Sequence, residues 1–119
     1  EGMGTYCKNR HVGNFGDVST FSFFGNKTIT TGEGGMVCFK KKKHHEIAKK
    51  LRDHGMSSKK RYWHDYIGYN YRMTNIQAAV GLAQMERLEF FIKQKKIMAK
   101  KYRFYLNKNK QIFFSKNFS

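Results

Sequence analysis

One lysine of this chain stands apart from most of the others. The run Ser22-Phe23-Phe24-Gly25-Asn26-Lys27-Thr28-Ile29-Thr30-Thr31-Gly32-Glu33-Gly34-Gly35 sets Lys27 among small, hydroxylic and apolar residues. Other lysines gather in charged company, as in Lys40 to Lys43 and Lys93 to Lys101. An amine is a useful nucleophile only after losing its proton, and an apolar site that disfavours the ammonium form is the usual route to that state. A lysine so placed can form a Schiff base with an aldehyde-bearing cofactor. The surrounding glycines would let the backbone approach a bulky ligand closely, and Ser22 with the nearby threonines offers hydroxyls to phosphate oxygens. A P-loop is excluded, because Lys27 precedes the glycines that it would have to follow. On these residues alone, an ordinary lysine in a glycine-rich turn and a solvent-facing Ser22 remain open alternatives.

The elements that must position this run follow from pattern. Val18 to Phe24 predicts a strand, because Val, Thr and Phe suit a pleated surface. Gly25 to Gly35, with glycines at 25, 32, 34 and 35, predicts a tight irregular connection, and Gly35 to Phe39 a second strand. So short a link predicts antiparallel pairing, since a parallel crossover takes about a dozen residues or more. Lys42 to His54 predicts a helix with Ile47, Ala48 and Leu51 on one stripe and Gly55 as its stop. Met56 to Arg72 has no clean period and holds Tyr62, Trp63, Tyr66, Tyr69 and Tyr71, the composition of either a binding loop or an interface. Arg72 offers an ion pair that would orient it. Thr74 and Gln77 form a capping box opening a long helix, expected from about Asn75 to Leu106. Its apolar stripe continues through Leu88, Phe91, Ile92, Met98, Ala99, Tyr102, Tyr105 and Leu106, and Gln111 to Phe114 reads as a strand with no clear partner.

Composition bounds the function classes. The chain has 119 residues, enough for one small domain. It opens at Glu1 on glycine-rich and aromatic sequence, so a piece of a longer protein is expected. The 24 Lys and Arg against 8 Asp and Glu give a formal charge of +16, which suits nucleic acid, an anionic membrane or an anionic substrate. The plainer reading is a solvated basic face. A basic nucleic-acid-binding module is the alternative from another class, but no RNP, helix-turn-helix or zinc-finger signature supports it. Cys7 and Cys38 lack CxxC spacing and read as reduced cytosolic thiols. No metal site is expected: His44 and His45 are adjacent and point apart on a helix, while His11, His54 and His64 have no ligand spacing. No apolar run approaches the ~20 residues of a membrane span.

The run FSFFGNKTITTGEGGMV is followed by LRDHGMS, RYWH and GYNYRMTNIQAAVGLAQMERLE. Together these motifs resemble the DegT/StrS-type pyridoxal-phosphate-dependent nucleotide-sugar aminotransferases, the perosamine synthase branch most closely, from Glu1 to about Tyr105. The resemblance implies an α/β fold, part of an aspartate-aminotransferase-like (fold type I) enzyme. Residues 1–74 would belong to the cofactor-binding large domain, and 75–119 to a long helix leading toward a C-terminal domain. It implies pyridoxal 5'-phosphate as cofactor, carried by Lys27, with Ser22 on its phosphate and Glu1 beside its ring. Asn70 would reach the phosphate from the neighbouring subunit of a cytoplasmic homodimer with shared active sites. The implied reaction moves an amino group from glutamate to a nucleotide-linked keto-deoxy sugar, as in perosamine-type 4-amino sugar synthesis for lipopolysaccharide O-antigen. The family aspartate that pairs with the pyridine nitrogen falls just before Glu1 and so is not in this chain. Related dehydratases do not transaminate and carry histidine at the lysine position, so Lys27 argues against that branch.

Overall fold

The computed structural model describes residues 2–114. The chain opens with a small hairpin in which β1 (Tyr6–Cys7) pairs antiparallel with β2 (Arg10–His11). Lys8 and Asn9 both take positive φ, 49° and 59°. Two such residues make the primed turn whose twist matches a two-residue hairpin. The sequence reading did not anticipate this hairpin.

β3 (Val18–Ser22) pairs antiparallel with β4 (Gly35–Phe39), as the short link predicted, in a register from Val18 opposite Phe39 to Ser22 opposite Gly35. β3 ends before the expected Phe24 because the peptide of Phe23 turns to closing the connecting loop. Its N–H donates to Gly34 O at 2.9 Å and its carbonyl accepts from Thr31 N–H at 2.9 Å.

α1 (Lys42–Arg52) follows, slightly shorter than predicted, with Asp53 as its C-cap. His54 and then Gly55 are left-handed, at φ 59° and 65°. Gly55 N–H reaches back to Lys50 O at 2.8 Å, the six-to-one bond of a Schellman ending. Gly55 therefore helps stop the helix, but the first left-handed residue is His54.

The single long helix expected from Asn75 to Leu106 is instead two helices, α2 (Asn75–Met85) and α3 (Leu88–Leu106). Arg87 N–H bonds to Gln84 O at 3.1 Å in a tightened last turn, and Arg87 itself sits at φ −108°, ψ 10°. No glycine or proline marks the break, so the apolar period runs straight through it. The capping box at Thr74 and Gln77 forms as predicted. The strand expected at Gln111 to Phe114 does not form. Successive turn bonds, Asn109 N–H to Leu106 O at 3.0 Å and Ile112 N–H to Asn109 O at 3.1 Å, take up the backbone there.

Little of the chain is enclosed. Among the described residues, the buried hydrophobic ones are Phe23 and Ile29, at 7% and 2% exposure. The accessible surface is 10481 Å², against about 6,700 Å² for a compact monomer of this mass. The radius of gyration is 19.0 Å, against roughly 13–14 Å for a compact chain of this length. On α3, Leu88, Phe91 and Ile92 are half-buried, whereas Met98, Ala99, Tyr102 and Tyr105 are exposed and Leu106 at the end is half-buried, so the predicted stripe packs mainly in its first half. We expect the 119-residue chain expressed alone to show no cooperative thermal transition by circular dichroism. A sharp transition from a monomer would contradict this.

Candidate active site

The loop between β3 and β4 is organised from the inside. Ile29 fills its interior. Thr30 Oγ1 donates to Phe23 O at 2.9 Å and accepts Gly32 N–H at 2.9 Å. Thr31 is buried, and its Oγ1 donates to Glu33 O at 2.7 Å. Gly34 lies at φ 145°, where a Cβ would come within 2.6 Å of Thr31 Oγ1 and 2.9 Å of Met73 Cε. Lys27 N–H closes a turn onto Phe24 O at 3.0 Å, which projects Lys27 from the tip of this braced loop.

Lys27 and Ser22 line one cavity of about 280 Å³ together with Asn26 and Thr28. His11 and Gly13 also line it, as does Lys95 of α3. Lys27 is half-buried and Ser22 exposed, so the enclosed apolar setting expected for the lysine is not what the described residues build. The walls mix polar and apolar groups because β3 contributes Ser19, Thr20 and Ser22 along with Phe21. The expectation that all the nearby threonines serve phosphate also needs correction. A hydroxyl has one proton to give, and Thr30 and Thr31 give theirs to the loop's own carbonyls. The hydroxyl residues lining the cavity are Ser19, Thr20 and Ser22 of β3 together with Thr28 of the loop.

Two cavity residues escaped the sequence reading. His11 stacks on Phe21 with ring centroids 6.3 Å apart, and its Nδ1 accepts Gly13 N–H at 3.1 Å, so Nε2 carries the proton of the neutral ring. Lys95 read as part of a basic helix face. Neither has a local signal, because both arrive from elements distant in sequence. A larger and more apolar cavity of about 860 Å³ is lined by Phe21, Phe23 and Met36 and by the α3 residues Leu88 and Ile92.

Asn70 does not line the lysine cavity. Its segment runs along the end of α1, where Asn70 forms an antiparallel bridge with Asp53. Tyr69 N–H donates to Leu51 O at 2.8 Å, and Tyr71 N–H to Arg52 O at 2.9 Å. The ion pair anticipated for Arg72 is present, Nε to Asp53 Oδ1 at 3.4 Å. Both partners are well exposed, so it adds about 0–1 kcal/mol and acts mainly as a guide. Tyr69 and Tyr71 stack at 5.1 Å. The aromatic segment is thus a fixed ledge carrying an exposed Asn70. Glu1, the fourth residue expected at the site, lies outside the described residues.

A mixed α/β chain that opens the half-buried Lys27 and several hydroxyl residues into one cavity, from a strand and a glycine-braced turn, belongs to the class of proteins able to offer a primary amine to a ligand. The comparisons narrow that class. The profile of the DegT/DnrJ/EryC1/StrS aminotransferase family matches residues 1–117, and the chain belongs to that family. It is 51% identical over 112 residues to the GDP-perosamine synthase of Escherichia coli O157:H7, covering 94% of this chain and 31% of that protein. Its structure resembles Helicobacter pylori PseC, an aminotransferase involved in the biosynthesis of pseudoaminic acid. The TM-score is 0.83 at 36% identity, covering 90% of this chain and 29% of PseC. It also resembles a candidate sugar aminotransferase from Streptococcus pneumoniae solved in its PLP form, with a TM-score of 0.77 at 26% identity, over 86% of this chain and 28% of that one. The chain therefore spans under a third of the length of these relatives. The expected fold class and family are both met. Among the described residues, no helix is long and apolar enough to cross a membrane.

Replacing Gly34 tests the bracing of the lysine loop. In the full-length protein, Gly34→Ala meets both a disfavoured φ and the Thr31 and Met73 contacts. It should cost more than about 1 kcal/mol of stability in a denaturant titration.

Proposed function

We propose that the full-length protein is a pyridoxal-phosphate-dependent sugar aminotransferase of the perosamine synthase type. It transfers an amino group from glutamate to a nucleotide-linked keto-deoxy sugar, as a cytoplasmic homodimer serving lipopolysaccharide O-antigen synthesis. The observation that carries this reading is the opening of Lys27 and Ser22 into one cavity from the two ends of a single strand-turn. The 51% identity to a GDP-perosamine synthase over 94% of the chain supports the substrate class.

The donor set suits the cofactor. Lys27 supplies a primary amine for an aldehyde, and Ser22 and Thr28 supply hydroxyl donors for phosphate oxygens. When bound, pyridoxal phosphate supplies the electron sink that makes a proton on the amine-bearing carbon removable. The chain's own residues do the rest. Lys27 Nζ would hold the cofactor at rest and, once freed, would serve as the base that takes up a proton and the acid that returns it. The turn closed by Lys27 N–H on Phe24 O keeps the start of that side chain fixed while its end changes partners. Residues 1–74 on this reading form part of the cofactor-binding domain.

Borohydride treatment of the full-length protein loaded with cofactor, followed by peptide mapping, should place the label on Lys27. Label on another lysine overturns the assignment. Lys27→Ala should abolish transamination.

Asn70 is exposed and does not line the lysine cavity of its own chain, which suits a role on the phosphate held by Ser22 of a second subunit. A phosphate dianion has more acceptor oxygens than one strand-turn can satisfy, and an amide adds a donor without adding charge. Losing such a bond costs about 1.5–3 kcal/mol, roughly ten- to a hundred-fold in cofactor affinity. Mixing full-length Lys27→Ala with full-length Asn70→Ala should restore activity on subunit exchange, because one mixed site collects both defects and leaves the other intact. Exchange without recovery would remove Asn70 from the shared site.

A further inference from the structure

The residues of α2 that are partly buried are Gln77, Gly81 and Gln84, one face at i, i+4, i+7, while Ile76, Val80 and Leu82 are exposed. A helix ordinarily buries its apolar stripe. Here a polar and glycine face is turned inward, and what it meets is the lysine loop. Gln84 Oε1 accepts Thr30 N–H at 2.9 Å. Gln77 Nε2 donates to Glu33 O at 3.1 Å. Between them Gly81 lets the helix come close, since a Cβ there would lie 2.9 Å from Thr31 Cγ2. The two glutamines grip the loop after Lys27, at Thr30 and at Glu33, and the loop's own bonds carry that grip to Phe23.

Gln77 has a second engagement. Its Oε1 accepts both Thr74 N–H and Thr74 Oγ1–H at 3.0 Å, the capping box that starts α2. One amide therefore joins the first turn of the helix to the loop. Thr74 follows directly on the segment Asn70–Met73, and Met73 Cε lies against Gly34.

We infer that Gln77 and Gln84 are positioning residues that set the seat of Lys27 and tie it to the Asn70 ledge through the start of α2. Neither touches the reacting atoms. Each holds a polar group of the loop that would otherwise let the turn at Lys27 drift. This rests on the proposed role of Lys27, but the grip itself can be read without cofactor.

The test uses the full-length protein with three variants and two readouts: hydrogen exchange across residues 28–34 without cofactor, and kcat and KM for the amine donor with it. Gln84→Leu removes the acceptor for Thr30 N–H. It should speed exchange at Thr30 and lower kcat by about ten-fold each, with KM changed less. Gln84→Glu keeps an acceptor oxygen and should bring both values back toward wild type. Gln77→Glu keeps the acceptor that caps α2 and removes the Nε2 donor. Loop exchange should then rise and kcat fall while α2 stays protected. Unchanged loop exchange in both Gln84→Leu and Gln77→Glu overturns the inference, and so does a lower melting temperature with kcat intact. Should borohydride label a lysine other than Lys27, the functional reading fails, and loop exchange alone decides whether the two glutamines hold the loop.

Discussion

Everything proposed for this chain depends on one closed loop. The connection from β3 to β4 folds back on the peptide of Phe23, which gives its N–H to Gly34 and takes protons from Thr31 N–H and Thr30 Oγ1. Backbone polar groups drawn out of water must find partners, and here a single residue serves both ends of the loop. Ile29 and Phe23 supply the apolar filling, roughly 3–6 kcal/mol for the two side chains together. With the loop closed, Lys27 and Ser22 line the same cavity, Ser22 at the end of β3.

The surroundings of that loop show how a site can be rigid inside a loosely covered chain. α2 spends its inward face on two glutamines and a glycine, so contact with the loop is made by directed hydrogen bonds and close approach. Its apolar residues, like Met36 and Val37 of β4 and the second half of α3, remain in solvent. Exposed apolar area on this scale contributes nothing to the stability of the chain alone, while the local bonds of the loop do not depend on it. Local order around Lys27 and weak global enclosure are therefore compatible.

Several features were legible in the sequence because their causes are local. The antiparallel pairing followed from the short link, the start of α2 from Thr74 and Gln77, the end of α1 from Gly55, and the ion pair from Arg72. The misses share an opposite cause. The hairpin at Tyr6 to His11 has strands of two residues, too short for any period, and a Lys-Asn turn without glycine. The break between α2 and α3 occurs within a continuous apolar pattern. Gln111 to Phe114 had strand propensity but no strand to pair with, and propensity without a partner does not make a sheet.

What the sequence determined by itself was the chemistry on offer and its local framing: a lysine five residues after a serine, a glycine-rich turn between two short strands, and the motifs that placed the chain in its family. Tertiary structure decided how those groups are spent. Thr30 and Thr31 were indistinguishable from Thr28 as phosphate donors until the loop closed and claimed their protons. His11 and Lys95 came to the cavity from distant elements, and Gln77 and Gln84, unremarkable in a helix, became the loop's outer support. The reason is physical. Residue types and spacing fix which bonds a group is able to make, but a hydroxyl proton or an amide is given only once, and the fold chooses the recipient.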